Sequence, residues 1–394
     1  MGVTMPFVRA SRLDQLPPYL FADIDARKRA AMAAGKDVID FGVGDPDLPT
    51  PGFIVEAMRR AAGDACHHRY PLGTGLPEFR EAAARWFDRR FGVALDPQRE
   101  VLQLIGSKEG LGHLPVACLN PGDVALVPSP AYPVYRSASM FAGGRIHDLP
   151  LTPDNGWLPD LDSVPPAVAR AAKLLFLNYP NNPTGATADL AFLERAVDFG
   201  RRHDVLIVQD AAYSEMSFEE PAPSILQVAR SKDIAVEFHS LSKIFNMTGW
   251  RLGFAVGSAD VLAALAKVKA NMDSGQFGAV QMAGVAALDR ADHAEVRALR
   301  EVYRQRRDGL VAGLRQLGLA PCCPQATFYV WMPVPGGGDS VAFARRLLEE
   351  ACITVVPGVG FGPEGEGYVR FALTVPAERI RQALQRLEAV CLPV

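Results

Sequence analysis

The chain has 394 residues, 49% of them hydrophobic and 22% charged, with a formal net charge of -3. That length exceeds one compact core and suits two domains, and the charge balance offers no broad basic surface for nucleic acid. Six cysteines, Cys66, Cys118, Cys322, Cys323, Cys352 and Cys391, contain no CxxC pair and read as reduced thiols, which argues against a zinc site or a disulfide framework.

The first residues lack a basic start followed by an apolar run. No stretch reaches the roughly 18 apolar residues of a spanning helix, so a cytoplasmic location is expected. The first legible element is a helix between Leu76 and Phe91, where Leu76, Phe79, Ala83, Trp86 and Phe87 share a face. Short apolar runs then alternate with helical patterns: "VLQLIGS" from Val101, "DVALVP" from Asp123, "KLLFLN" from Lys173, "VLIVQD" from Val205 and "AVEFHS" from Ala235. That rhythm predicts a parallel sheet with crossover helices. Only about a dozen residues separate Ser240 from the next run, "GFAVG" at Gly253, which is at the low limit for a crossover helix. This strand is therefore expected to run antiparallel, in a mixed sheet.

After Ala287 a charged helical stretch carries an intermittent stripe of Val296, Leu299, Tyr303, Leu310, Leu314 and Leu317, and is expected to join two domains. "TFYVWMPV", a helix near Val341 to Glu350, "ITVVPG", "YVRFALT" and a terminal helix with Ile380, Ala383, Leu384, Leu387 and Val390 on one face predict a small α/β domain. The expected division is an N-terminal segment over 1–40 that joins the small domain, a large domain over 41–287, and a small C-terminal domain over 288–394.

Polar clusters fall where parallel strands should end: "LIGSKEG", "NYPNNPTG", "QDAAYSE" and "HSLSK". Ligands bind at such ends in open α/β sheets. Ser107 sits where a strand turns into a helix, which suits either an anion site or a plain helix cap. Ser240, Ser242 and Arg251 could clamp one phosphate, with the arginine supplying the bidentate part. Asp210 leaves a buried strand and needs a partner, either a helix N-terminus or a protonated ring nitrogen. Tyr213 and Asn182 could donate to a phenolic oxygen, although a core tyrosine and a turn asparagine are the plainer readings. Lys243, among apolar and aromatic residues, would have its charged form disfavoured, which makes an amine a nucleophile for a carbonyl. A lone snorkelling lysine would not need the rest. Phosphate donors, a carboxylate for a pyridinium, two donors for a phenol and this lysine together specify pyridoxal phosphate.

"NNPTG", "DAAYSE" and "SLSKIFNMTGWRLGF" resemble the fold type I, class I/II aminotransferases, and the likeness runs from "FGVGDPDLPTP" to "YVRFALT". "GDPDLPTP", "IGSKEGLGHLP", "FLNYPNNPTGA" and "EFHSLSKIFNMTGWRLGFAVG" are similar, within that family, to shorter bacterial members that act on LL-diaminopimelate. The resemblance implies an aspartate aminotransferase-like α/β fold: a large, cofactor-binding domain on a mixed, mostly parallel seven-stranded sheet flanked by helices, plus the small domain. It implies that Lys243 carries pyridoxal 5'-phosphate as a Schiff base and shuttles the transferred proton, and that Asp210 pairs with the pyridine nitrogen. Tyr213 and Asn182 would meet the phenolic oxygen, and Tyr132 would stack on the ring. Ser107, Ser240, Ser242 and Arg251 would hold the phosphate, joined by Tyr70 across the boundary of a homodimer. Arg370 and Asn182 would take the substrate α-carboxylate, with Gly44 beside it. Alternation in "YVRFALT" independently sets Val369, Phe371 and Leu373 on one face and Tyr368 and Arg370 on the other, leaving carboxylate binding and an interfacial ion pair both open. Lys108, beside Ser107 in the cofactor-binding set, stands where many relatives have a small residue; contact with the distal end of the substrate and plain solvation weigh evenly.

One departure concerns specificity. Longer plant-type relatives follow the phosphate-contacting tyrosine with an acidic residue that reads a distal ammonium, whereas this chain has "YPLGTGLPEFR". LL-diaminopimelate with 2-oxoglutarate is the leading expectation. Aspartate, aromatic or neutral amino acids, or a carbon–sulfur lyase on the same scaffold, are the alternatives. A cofactor-sensing regulator of this kind would carry an N-terminal winged-helix domain, and with only some 40 residues before "FGVGDPD" that reading is not the one expected; "GVGFGPEG" at Gly358 has the wrong spacing for a dinucleotide site and is expected to be a loop.

Overall fold

Residues 9–16, 20–71 and 73–390 are described by the computed structural model; Cys391 and residues 1–8 and 17–19 of the N-terminal segment lie outside them. The strands are β1 (Ile39–Asp40), β2 (Val101–Leu104), β3 (Val124–Ser129), β4 (Arg145–Pro150), β5 (Ala172–Asn178), β6 (Leu206–Asp210), β7 (Ala235–Ser240), β8 (Gly253–Gly257), β9 (Tyr329–Pro333), β10 (Ile353–Thr354), β11 (Val356–Pro357) and β12 (Tyr368–Ala372). Seven of them form one sheet in the order β2-β8-β7-β6-β5-β3-β4. β8 pairs antiparallel with both β2 and β7, while β3, β4, β5, β6 and β7 run parallel to one another. The short link between Ser240 and Gly253 thus has the consequence its length demands.

Continuous apolar runs fit this sheet because helices cover both faces. The period of two divides β5 between two cores: Leu175 and Leu177 pack with Phe79, Phe87 and Ile207, while Leu174 and Phe176 pack with Leu104, Val208 and Phe238. Each such buried side chain contributes roughly 1.5–3 kcal/mol against exposure. The edge strand β4, "RIHDLP", has no apolar run to announce it, because it pairs with β3 alone and leaves Arg145 exposed. Near the front of the sheet, Pro77–Phe91 is a helix with proline at its start and Gly92 at φ 67° closing it.

A second sheet, ordered β11-β12-β9, is antiparallel, and β1 pairs with β10 in parallel. "ITVVPG" is therefore two strands: Ile353–Thr354 faces Ile39–Asp40, and Val356–Pro357 faces Val369 and Arg370. Phe41, Tyr303, Leu310, Phe328, Val330 and Phe371 form the core here. The charged stretch is one helix, Ala294–Gln316, with Val296, Tyr303, Leu310 and Leu314 buried but Leu299 and Leu317 only half-buried. Its stripe is intermittent because Arg306 and Arg307 are buried in it too. Arg306 forks onto Asp47 at 2.6 and 2.9 Å and donates to the Leu373 carbonyl at 3.0 Å, while Arg307 reaches Glu219 at 2.7 Å. With Thr374 Oγ1 donating to the Val43 carbonyl at 2.6 Å, the Arg306 fork pins the segment 43–47 beside the end of β12. Among the described residues no helix is long and apolar enough to cross a membrane, and the five cysteines there form no disulfide.

Candidate active site

The registers Asn178↔Asp210 and Asp210↔Phe238 bring the C-terminal ends of β5, β6 and β7 level, and the Ser240↔Gly253 pair sets β8 beside them. At the end of β7, Ser240 Oγ accepts the Ser242 N–H at 3.2 Å and starts the one-turn helix Leu241–Ile244. That turn carries Lys243 into the cleft. Its Nζ donates to the Gly44 carbonyl at 3.0 Å and lies 5.4 Å from the Phe328 ring centroid. Part of the side chain keeps solvent access, but the protein packed around the amine pushes its pKa down, helped by Arg370 and Arg251 and opposed by Tyr329 and Asp45.

Asp210 closes β6. Its Oδ2 accepts the Tyr135 hydroxyl at 2.6 Å and its Oδ1 accepts the Ala212 N–H at 3.2 Å. Burial pushes its pKa up to about 6 against the lowering effect of those two donors. No cation forms an ion pair with it among the described residues. Asn178, at the end of β5, donates to the Asp210 carbonyl at 2.8 Å and accepts the Asn182 N–H at 2.9 Å, so one amide spaces these two site residues.

Gly106, at φ 75°, takes the N-cap position, and Ser107 is the first residue of the helix Ser107–Cys118. Ser107 is thus not the cap, and its hydroxyl is not committed to the helix end. Arg251, itself at φ 54°, lays its guanidinium on Gly106: a Cβ there would stand 2.5 Å from Nη2. Its Nη1 donates to the Thr248 carbonyl at 2.8 Å and is 3.5 Å from Ser242 Oγ. A Cβ on Gly253 would come within 2.9 Å of the Ser107 nitrogen, so β8 approaches the helix start as closely as only glycine permits. Ser107, Ser242 and Arg251 therefore converge on one helix N-terminus, a cradle suited to a dianion. Lys108 is exposed on the same first turn, and Tyr70 is 80% exposed. The Tyr132 ring meets Tyr135 edge-on, centroids 5.9 Å apart.

Arg370 is buried on β12. Nη1 donates to Asn182 Oδ1 at 2.8 Å, Nη2 donates to the Gly42 carbonyl at 3.1 Å, and Nε has no partner. The guanidinium lies on Tyr329 at 4.0 Å and Phe361 at 4.7 Å, and burial pushes its pKa down. Among the described residues of the chain it makes no ion pair. Tyr213 places its hydroxyl 3.0 Å from that of Tyr329, and burial raises its pKa well above the ordinary value. A Cβ on Gly44 would stand 2.0 Å from the Tyr329 hydroxyl, which makes Gly44 part of the same wall. The "GVGFGPEG" segment is a loop of two 3-10 turns, and it supplies Phe361.

Sequence reasoning did not single out Tyr135, Asn178, Tyr329 or Phe361. Tyr135 stands three residues after Tyr132 in "SPAYPVY", a spacing that returns a side chain to the same end of a helix start. Tyr329 and Phe361 carried no signal, being aromatic residues in apolar surroundings.

The arrangement can bind an anion at one end, a carboxylate at the other, and hold a buried amine and a buried carboxylate between them. Residues 36–387 match the family described as aminotransferase class I and II. The chain is 56% identical over 384 residues to an LL-diaminopimelate aminotransferase of Syntrophobacter fumaroxidans, covering 97% of this chain and 99% of that one. The substrate-bound structure of BacF from Bacillus subtilis superposes with a TM-score of 0.95 at 37% identity, over 98% of this chain and 99% of its own. A double mutant of the aspartate aminotransferase of Thermus thermophilus gives 0.92 at 34% identity, over 98% and 100%. With this sheet, this cleft and these likenesses, the chain belongs to the class I and II aminotransferases and is a transaminase.

Proposed function

We propose that the enzyme uses pyridoxal 5'-phosphate to exchange an amino group between LL-diaminopimelate and 2-oxoglutarate, by two half-reactions, as a symmetric cytoplasmic homodimer. The observation that carries the reading is one cleft in which Lys243, Asp210 and Arg370 make no ion pair among the described residues. A buried carboxylate with a pKa of about 6 and no cation fits a protonated ring nitrogen, and a buried guanidinium with an unused Nε fits an incoming carboxylate. The substrate is carried by the name of the relative at 56% identity.

In this reading Ser107, Ser240, Ser242 and Arg251 hold the phosphate, with Lys108 beside them and Tyr70 reaching across the subunit boundary. Tyr132 would stack on the ring, Asp210 would hold the proton at the pyridine nitrogen, and Tyr213 and Asn182 would donate to the phenolic oxygen. Asn182 keeps its amide N–H groups for this, since Oδ1 is taken by Arg370. When bound, the cofactor supplies an electron sink that lets an amino acid α-carbon release its proton. Lys243 would hold the cofactor through Nζ and would move that proton, a task suited to an amine whose charged form burial disfavours. Arg370 and Asn182 orient the α-carboxylate, with Gly44 beside it. Residues 41–287 would make the large, cofactor-binding domain, and 288–394 with the N-terminal 1–40 the small one; the β1–β10 pairing supports joining the N-terminal segment to the small domain, and Phe41, packed with Phe371, carries that junction just past residue 40.

The test is the visible spectrum of the purified protein on adding LL-diaminopimelate, then glutamate, then an aromatic amino acid. A yellow band that bleaches with LL-diaminopimelate and returns with 2-oxoglutarate is the expected result. A band that persists with it while another donor bleaches it reassigns the substrate, and release of ammonia moves the enzyme to the lyases.

A further inference from the structure

Tyr329 is buried on β9 and touches Tyr213, Arg370 and Gly44. Its hydroxyl is 3.0 Å from that of Tyr213, and its ring lies 4.0 Å beneath the Arg370 guanidinium. The same hydroxyl is where a Cβ on Gly44 would fall, 2.0 Å away, and the Gly44 carbonyl holds Lys243 Nζ at 3.0 Å. One side chain thus borders the phenolic-oxygen donor, the carboxylate clamp and the segment that holds the amine.

A phenol has one proton to donate. If Tyr213 gives its proton to the cofactor, its oxygen must accept one from Tyr329. We propose that Tyr329 is a positioning residue: its hydroxyl donates to Tyr213, freeing the Tyr213 proton for the phenolic oxygen, while its ring face holds Arg370 for the substrate carboxylate. The proposal rests on the pyridoxal phosphate reading above. Hydrogen bonds in a chain polarise one another, so a donor behind Tyr213 strengthens its pull on the phenolic oxygen. Electron density drawn from that oxygen lowers the proton affinity at the neighbouring nitrogen of Lys243. The Tyr329 hydroxyl therefore acts through Tyr213, and the ring acts separately on Arg370.

The experiment follows the visible absorbance of the holoenzyme against pH in wild type, Tyr329→Phe, Tyr213→Phe and the double variant. Tyr329→Phe is expected to raise the midpoint by about half a pH unit, and Tyr213→Phe by more. The double variant should match Tyr213→Phe alone to within about 0.2 unit, because the route through Tyr213 is already cut. Tyr329→Phe keeps the ring and should leave the KM for the amino donor within about twofold, whereas Tyr329→Leu should raise it about tenfold by removing the guanidinium's platform. A wild-type midpoint in Tyr329→Phe, or a further rise in the double variant, overturns the proposal. A wild-type protein that takes up no pyridoxal phosphate overturns it together with the reading it rests on; one that is yellow and transaminates isolates the fault to Tyr329.

Discussion

Asp210 shows what burying a carboxyl at the end of β6 costs the fold. Its carboxyl ionises near 3.8 when exposed and at about 6 in the fold, with burial the largest cause. The unfolded chain therefore gives up its proton first, and folded stability falls as pH rises from about 4 to about 6 and stays lowered above that. A carboxyl held that far above its ordinary value costs the ionised fold about 2–3 kcal/mol. Urea unfolding of the cofactor-free protein should show wild type losing about 2 kcal/mol relative to Asp210→Asn between about pH 4.5 and about pH 7.5. An equal difference at both pH values would mean that Asp210 is not strained by its ionisation. A cation at the ring nitrogen would remove the penalty, so the same burial that weakens the fold favours a positively charged ligand.

At the scale of elements, the site depends on how closely β8 and the helix Ser107–Cys118 approach. Gly106 needs φ 75° and bears the Arg251 guanidinium, so Gly106→Ala meets both a backbone penalty and a clash 2.5 Å from Nη2. The variant should release pyridoxal phosphate at least about tenfold more readily on dialysis, a loss of about 1.4 kcal/mol, while the fold, followed by far-ultraviolet circular dichroism, is kept. Unchanged retention would place the phosphate elsewhere. Much of this layout is legible in the sequence because it follows from local chemistry. Buried parallel strands announce themselves as apolar runs, and the link from Ser240 to Gly253 is too short for an ordinary crossover. Strand β4 is hidden because an edge strand need not be apolar. Ser107, Asp210 and Lys243 stand out as polar groups at strand ends and Arg370 as a charge inside an alternating strand, whereas Tyr135 and Tyr329 look like ordinary core until the fold brings their hydroxyls to Asp210 and Tyr213. Arg306 and Arg307 likewise interrupt a helical stripe for reasons that lie far away in sequence, at Asp47 and Glu219.

At the scale of the whole molecule, Tyr70 is the unexplained residue of the single chain. It is a large aromatic side chain, 80% exposed, in a segment that packs beside Gln103 and Gly275 through Gly75 and Pro71. An exposed aromatic side chain of that size is suited to a neighbouring surface. In a symmetric dimer each subunit would offer Tyr70 to its partner's phosphate cradle, so that each site draws residues from both chains. Mixed dimers test this. Lys243→Ala and Tyr70→Ala proteins, each impaired alone, are co-expressed and allowed to assemble. If Tyr70 serves the opposite site, each mixed dimer holds one site with both defects and one with neither. Random assembly makes half the dimers mixed, and one site in two of those is intact, so about a quarter of wild-type activity should return. If Tyr70 serves its own subunit, every site in every dimer carries one defect, and co-expression restores nothing beyond the parents' average.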